Sequence, residues 1–273
     1  THRSRSGLRG MSGARRKALL RYGLFAVLAI VCACWGAASV EISAADRVSR
    51  EAVLPIPAAP RPRGPVTILV LGDSLAYGYG ASTKAKSFVS LLGRRLARAR
   101  PGSIIINASY PGARTREVLG YLKRRPNTRV DAIIVVSGAN DIRKLTPPLA
   151  FARDQSTLLV RLHREFPGTP ILMSNVPDVS GRYFSLPVHT LHRVLFLAPF
   201  RLPLGYLIDI DAGIQEKIAR RSGATMIDLH ALSQKTHADN PRYISGDGLH
   251  PNDAGHARIA AFVWRPLSRV LEL

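Results

Sequence analysis

Four short stretches of the chain carry side chains that could perform acyl transfer together. Ser74 offers a hydroxyl, His250 a base, Asp247 a carboxylate just upstream of that base, and Asn140 an amide. A serine hydroxyl is a weak nucleophile and needs a base within hydrogen-bond reach. Imidazole suits that task because its proton affinity lies near neutrality. A carboxylate would orient the ring and stabilise its cation. Gly248 lets the short link from Asp247 to His250 bend so that the two side chains can meet. The oxyanion of a tetrahedral intermediate needs donors. The backbone N–H groups of Ser74 and Gly112 and the side-chain amide of Asn140 could supply three, each typically worth ~2.7–4 kcal/mol in the barrier. Alone, Ser74 would read as a turn serine capping a helix. The chemistry depends on a fold that brings the four stretches together.

The elements needed for that are legible as alternating apolar runs. Thr67–Leu71, Ser103–Asn107, Asp131–Ser137, Pro170–Ser174 and Ala224–Asp228 read as short buried strands. Between and after them, helical spacing of apolar residues predicts helices over Lys86–Arg100, Thr115–Arg124, Leu149–Glu165, Tyr206–Arg221 and Asp253–Leu271. Strands alternating with helices predict a parallel sheet covered on both faces. Ser74, the stretch from Asn107 to Gly112, the stretch from Gly138 to Asp141, and the stretch from Asp247 to Pro251 then all fall at or beyond strand ends. Ligands bind beyond the carboxyl ends of such strands.

Gly72-Asp73-Ser74-Leu75 resembles the first block of the SGNH, or GDSL, hydrolase family. Gly112 follows Asn107 as the glycine of the second block follows its asparagine, and Thr115 keeps the G-x-x-T pattern. Gly138-x-Asn140-Asp141 is similar to the third block. Asp247-x-x-His250-Pro251, continued by Asn252-Asp253-x-Gly255-His256, is similar to the fifth. Ser109 and Pro111 depart from the small residues common before the second-block glycine. The resemblance spans residues 66–270. It implies a three-layer α/β/α sandwich of flavodoxin-like type on a five-stranded parallel sheet. It also implies ester hydrolysis by Ser74, Asp247 and His250, with oxyanion donors at Ser74, Gly112 and Asn140, and neither cofactor nor metal.

Composition bounds the setting. The 273 residues carry a formal net charge of +21, and only seven of the 39 basic residues are lysine. The arginines are scattered and no nucleic-acid module is visible, so attraction to an anionic envelope is the milder reading. Seven basic residues and no acid precede Tyr22–Val40, a charge-free run of roughly 28 Å as a helix. Such a segment predicts an anchor or a signal that sends the downstream chain across the membrane. The only cysteines, Cys32 and Cys34, lie within it and faintly resemble a lipoprotein site. Residues 1–45 thus form the basic and apolar leader. Residues 46–65, rich in Pro and Ala, read as a tether, and residues 66–273 as the hydrolase domain.

Residues 177–205 interrupt the alternation with an apolar, proline-bearing stretch that reads as a lid-like insertion. Its His189 and His192 have metal-like spacing without a third ligand. His256 is a rival base but reads better as a packing or hydrogen-bonding residue. Asp73 and Asp141 read as loop braces. No G-x-S-x-G elbow occurs. The expectation is an extracytoplasmic, membrane-anchored or secreted serine esterase, monomeric, that works through an acyl-enzyme on lipase- or lysophospholipase-type esters or on small acyl esters. Its substrate would be an acyl lipid or acylated glycan, the membrane would be met through the N-terminal segment or the lid, and no nucleic-acid partner is expected. Alternatives are a carbohydrate O-deacetylase, an acyltransferase and a non-catalytic binding protein on the same fold.

Overall fold

Apolar runs without polar alternation can be buried on both faces of a sheet, and five of them pair in parallel in this protein. The computed structural model describes residues 36–48, 64–121, 129–178, 198–235 and 240–273. The strands are β1 (Thr67–Gly72), β2 (Ile104–Asn107), β3 (Ala132–Val136), β4 (Ile171–Ser174) and β5 (Thr225–Ile227). Their order is β2-β1-β3-β4-β5, the flavodoxin-like order, whose switch point lies between β1 and β3. Gly72 stands beside Val136 and Val70 beside Asn107. The chain therefore leaves β1, β2 and β3 at one common edge.

Side chains alternate across a strand, and this splits the core in two. Leu69, Leu71, Ile133, Val135, Ile171 and Met173 face one layer. It contains α3 (Thr115–Tyr121), α5 (Pro148–Glu165) and α6 (Ala198–Ser222). Ile68, Val70, Ile134, Val136 and Leu172 face the other, which contains α2 (Phe88–Ala99) and α9 (Asp253–Leu271). Phe88, Leu92 and Leu96 are fully buried on α2, as are Phe151, Leu158, Leu159 and Leu162 on α5. Each such side chain contributes about 1.5–3 kcal/mol of burial. The described residues also hold five shorter elements: α1 (Ser74–Tyr77), a 3₁₀ turn (Lys84–Lys86), α4 (Ala139–Arg143), α7 (Leu229–Lys235) and α8 (Asn240–Tyr243).

Some expectations change. The Ile104–Ile106 run is not a buried strand: β2 lies at the sheet edge, and Ile104 is 53% exposed. The helix expected from Tyr206 begins at Ala198, so the last residues of the insertion are helical. Residues 179–197, with His189 and His192, lie outside the described residues. The helix expected from Lys86 starts at Phe88, after the 3₁₀ turn and a Ser87 cap on the Ser90 N–H.

The chain divides into a unit of Thr1–Ser43 and a unit of Ala44–Leu273. In the first, residues 36–43 are helical. In the second, residues 44–48 are helical where an extended tether was expected from Asp46. Ala45 is fully buried in the core layer of α5 and α6, and Asp46 pairs with Lys217. Most of Tyr22–Val40 lies outside the described residues, and no described helix is long and apolar enough to cross a membrane.

Candidate active site

β1 ends against β3, and the chain must turn at once. Asp73 N–H donates to the Val136 carbonyl at 3.1 Å, which ties the turn to the neighbouring strand. The Asp73 carboxylate caps α1 by accepting the Leu75 N–H at 2.9 Å. The cap is therefore Asp73, and Ser74 is the first residue of the helix. Its hydroxyl is not spent on capping, and its N–H is among the helix-terminal donors that have no intrahelical partner. Burial drives the Asp73 carboxyl up to about 7, with the nearby Asp141 charge adding to the rise and the Leu75 N–H opposing it.

The base arrives from the other end of the chain. His250 Nε2 lies 2.8 Å from Ser74 Oγ, and His250 Nδ1 lies 2.6 Å from Asp247 Oδ2. A carboxylate only accepts, so Nδ1 carries the hydrogen and Nε2 is left to accept from the Ser74 hydroxyl. Asp247 Oδ1 accepts three further bonds, from Ser245 Oγ at 2.8 Å and from the Leu249 and His250 N–H groups at 2.9 Å each. Burial would raise the Asp247 carboxyl. These N–H donors, the His250 ring and the Ser245 hydroxyl outweigh it and hold it down at about 2. Asp247 is thus ionised at neutral pH, as a group that stabilises imidazolium must be.

A second contact steadies the base. The Tyr79 ring stands 4.9 Å from the His250 ring, centroid to centroid, tilted by 45°. Tyr79 N–H donates to the Ser74 carbonyl at 2.9 Å. At Gly80 the backbone has φ +84°, and an added Cβ would lie 2.3 Å from the Pro251 carbonyl oxygen and 2.9 Å from His250 Cβ. Only glycine lets this loop press so closely against the base. His256 is fully buried and serves the same loop. Its Nδ1 accepts the Phe88 N–H at 3.2 Å, so Nε2 carries the hydrogen and donates to the Tyr79 carbonyl at 2.8 Å. Burial lowers its proton affinity and keeps it neutral. His256 is thus a strut of the Tyr79 loop, and the ring that meets Ser74 is that of His250.

The donor side is built from the loops after β2 and β3. Gly112 has φ +79°, a left-handed turn that glycine takes without strain. Asn140, on α4, is buried; its Nδ2 donates to the Ala113 carbonyl at 3.1 Å, which leaves one N–H of the amide without a bond to the described residues. Its Oδ1 accepts from Arg143 Nε at 3.2 Å. Asp141 joins the two loops, because Oδ2 accepts both the N–H and the hydroxyl of Thr115 at 2.9 Å. Thr115 and Asp141 hold the second and third motifs in register. Both acids expected to brace loops do so.

The fold thus brings Ser74, Asp247 and His250 into one hydrogen-bonded chain and sets Gly112 and Asn140 on neighbouring loops of the same sheet edge. Ser245, Tyr79, Gly80 and Arg143 escaped sequence reasoning. Only Arg143 left a signal, its helical spacing from Asn140. Among the described residues, no cluster of three His, Cys, Asp or Glu could hold a metal.

The hydrogen-bonded chain of Asp247, His250 and Ser74 stands at the switch point of a flavodoxin-like sheet. Residues 70–258 match the model of the GDSL-like lipase/acylhydrolase family, and the chain belongs to that family. It is a carboxylic ester hydrolase. An arylesterase of Vibrio mimicus is 25% identical over 208 residues, spanning 75% of this chain and 89% of that relative. Among solved structures, TesA superposes with a TM-score of 0.58 at 20% identity, over 75% of this chain and 99% of its own. An acetyl xylan esterase, AlAXEase, superposes with a TM-score of 0.56 at 15% identity, over 74% and 99%.

Proposed function

We propose that the protein cleaves carboxylic esters through an acyl-enzyme on Ser74. The observation that carries this reading is the hydrogen-bonded chain from Asp247 through His250 to Ser74 Oγ. His250 Nε2 takes the hydroxyl proton as Oγ attacks the carbonyl carbon. The resulting oxyanion is met by the Ser74 and Gly112 N–H groups and the free Asn140 amide hydrogen. His250 then returns the proton to the leaving alkoxide, and water resolves the ester on Ser74 by the same route. Ser74→Ala should abolish hydrolysis of p-nitrophenyl esters while the protein stays folded. Full activity in that variant would sink the mechanism.

The substrate reading favours a small acyl group. The exposed Tyr79 ring stands against His250, and Tyr110, also exposed, lies on the loop after β2, its N–H donating to the Gly72 carbonyl. Such faces suit an aryl or sugar-bearing ester, and an arylesterase and an acetyl xylan esterase are among the proteins this chain resembles. An acyl lipid is the second reading, motivated by the apolar insertion at 177–205. Rates on p-nitrophenyl acetate through palmitate, alongside an acetylated glycan, decide between them. We place the enzyme outside the cytoplasm, held by the apolar Tyr22–Val40 segment or released after its cleavage. The intact mass of the protein in membrane and soluble fractions tests that placement.

A further inference from the structure

We infer that Arg143 is a positioning residue of the oxyanion hole, acting through Asn140; this rests on the ester-hydrolase reading of the site. Asn140 and Arg143 are one helical turn apart on α4, close enough for their side chains to meet. Arg143 Nε donates to Asn140 Oδ1, and the opposite end of the amide donates to the Ala113 carbonyl. Both ends of the amide are therefore assigned. The oxygen and nitrogen cannot exchange places without facing a donor with a donor and an acceptor with an acceptor. One N–H is left, and its direction is set.

Charge adds to orientation. An amide whose oxygen accepts from a guanidinium is polarised, which makes its N–H a stronger donor. The guanidinium also runs beside the other donor loop, since a Cβ built on Gly112 would lie 4.0 Å from Arg143 Nη2. Its basic neighbours share one carboxylate: Arg114 pairs with Glu117 at 2.8 Å, and Lys144 approaches the same group at 3.6 Å. Arg143 has no carboxylate in ion-pair range among the described residues. Its charge is left to act on negative charge that develops at Asn140. Pre-set donors and charges of this kind cost no reorganisation during the reaction.

The test is a double-mutant cycle in the full chain, using p-nitrophenyl acetate. Arg143→Gln should lower kcat by about 10-fold with KM almost unchanged. In an Asn140→Ala background the same substitution should have less than about a twofold effect, because the amide it acts on is gone. Arg143→Lys should fall between, and each Arg143 variant should melt with its own background, parent or Asn140→Ala, because Arg143 is exposed. An unchanged kcat in Arg143→Gln overturns the inference. So does an equal loss in both backgrounds, which would mean that Arg143 acts without Asn140. A parent enzyme inactive on every ester would overturn the reading of the site and this inference with it. An active parent with either failing pattern overturns the inference alone.

Discussion

His250 Nε2 sits 2.8 Å from Ser74 Oγ, although 176 positions separate the two residues along the chain. With the bonds of His256 to Phe88 and Tyr79, that contact joins the two ends of the domain. Each partner stands beside a capped helix, Ser74 after the Asp73 cap of α1 and His250 before the Asn252 cap of α9. The contact depends on β1 lying inside the sheet and on α9 packing beside α2.

Asp247→Asn should lower kcat by about 10³–10⁴-fold. Asp247 Oδ1 accepts three donors. An asparagine would keep its carbonyl oxygen there and turn its NH₂ toward His250 Nδ1. That forces the hydrogen onto Nε2, where it faces Ser74 and blocks proton transfer. Steady-state kinetics at neutral pH check this, and a loss below about tenfold would contradict the tautomer argument.

Asn140→Ala should lower turnover by about 10²–10³-fold with a modest change in KM, as expected for a donor used in the transition state. An unchanged rate would remove Asn140 from the site.

Gly80→Ala tests the loop that presses on the base. The added methyl meets the Pro251 carbonyl and His250 Cβ, in a left-handed conformation that alanine resists. The backbone strain costs on the order of 1–3 kcal/mol, so the melting temperature should drop. Displacement of His250 should cut kcat by about 10-fold or more. Parent-like melting and turnover together would show that the close approach is dispensable.

Asp211 gives a pH test away from the chemistry. It is buried on α6, and burial, followed by the Asp141 charge, pushes its carboxyl from 3.8 to about 8. The native state therefore holds a proton that the unfolded chain releases from about pH 4 upward. Stability from the protonated group is complete below about pH 4 and is lost as the pH rises through about 8. Asp211→Asn stays neutral throughout. Its melting temperature should exceed the parent's by an amount that is smallest near pH 4 and largest above pH 8. A gap independent of pH would contradict the buried-proton reading.

Much of this was legible in the sequence because it depends on local pattern. The runs Ile68–Leu71 and Ile133–Val136 read as buried strands, and the motifs stand at their ends. Sheet position was not legible: Ile104–Ile106 is as apolar as the central runs, yet β2 lies at the edge. Which run lies outermost is decided by crossover order, not by composition. The early start of α6 was hidden because Pro199 and Pro203 read as breakers. At the site, residue types revealed Ser74, Asn140, Asp247 and His250. The contacts of Tyr79 and Gly80 with His250, and of Ser245 with Asp247, depend on how loops pack and leave no spacing to read.

The most direct test is mass spectrometry of the protein after reaction with a fluorophosphonate, with p-nitrophenyl acetate hydrolysis followed in parallel. One adduct per chain, on the peptide bearing Ser74, should appear as activity disappears. An adduct on another residue, or full activity with Ser74 blocked, would contradict Ser74 as the nucleophile.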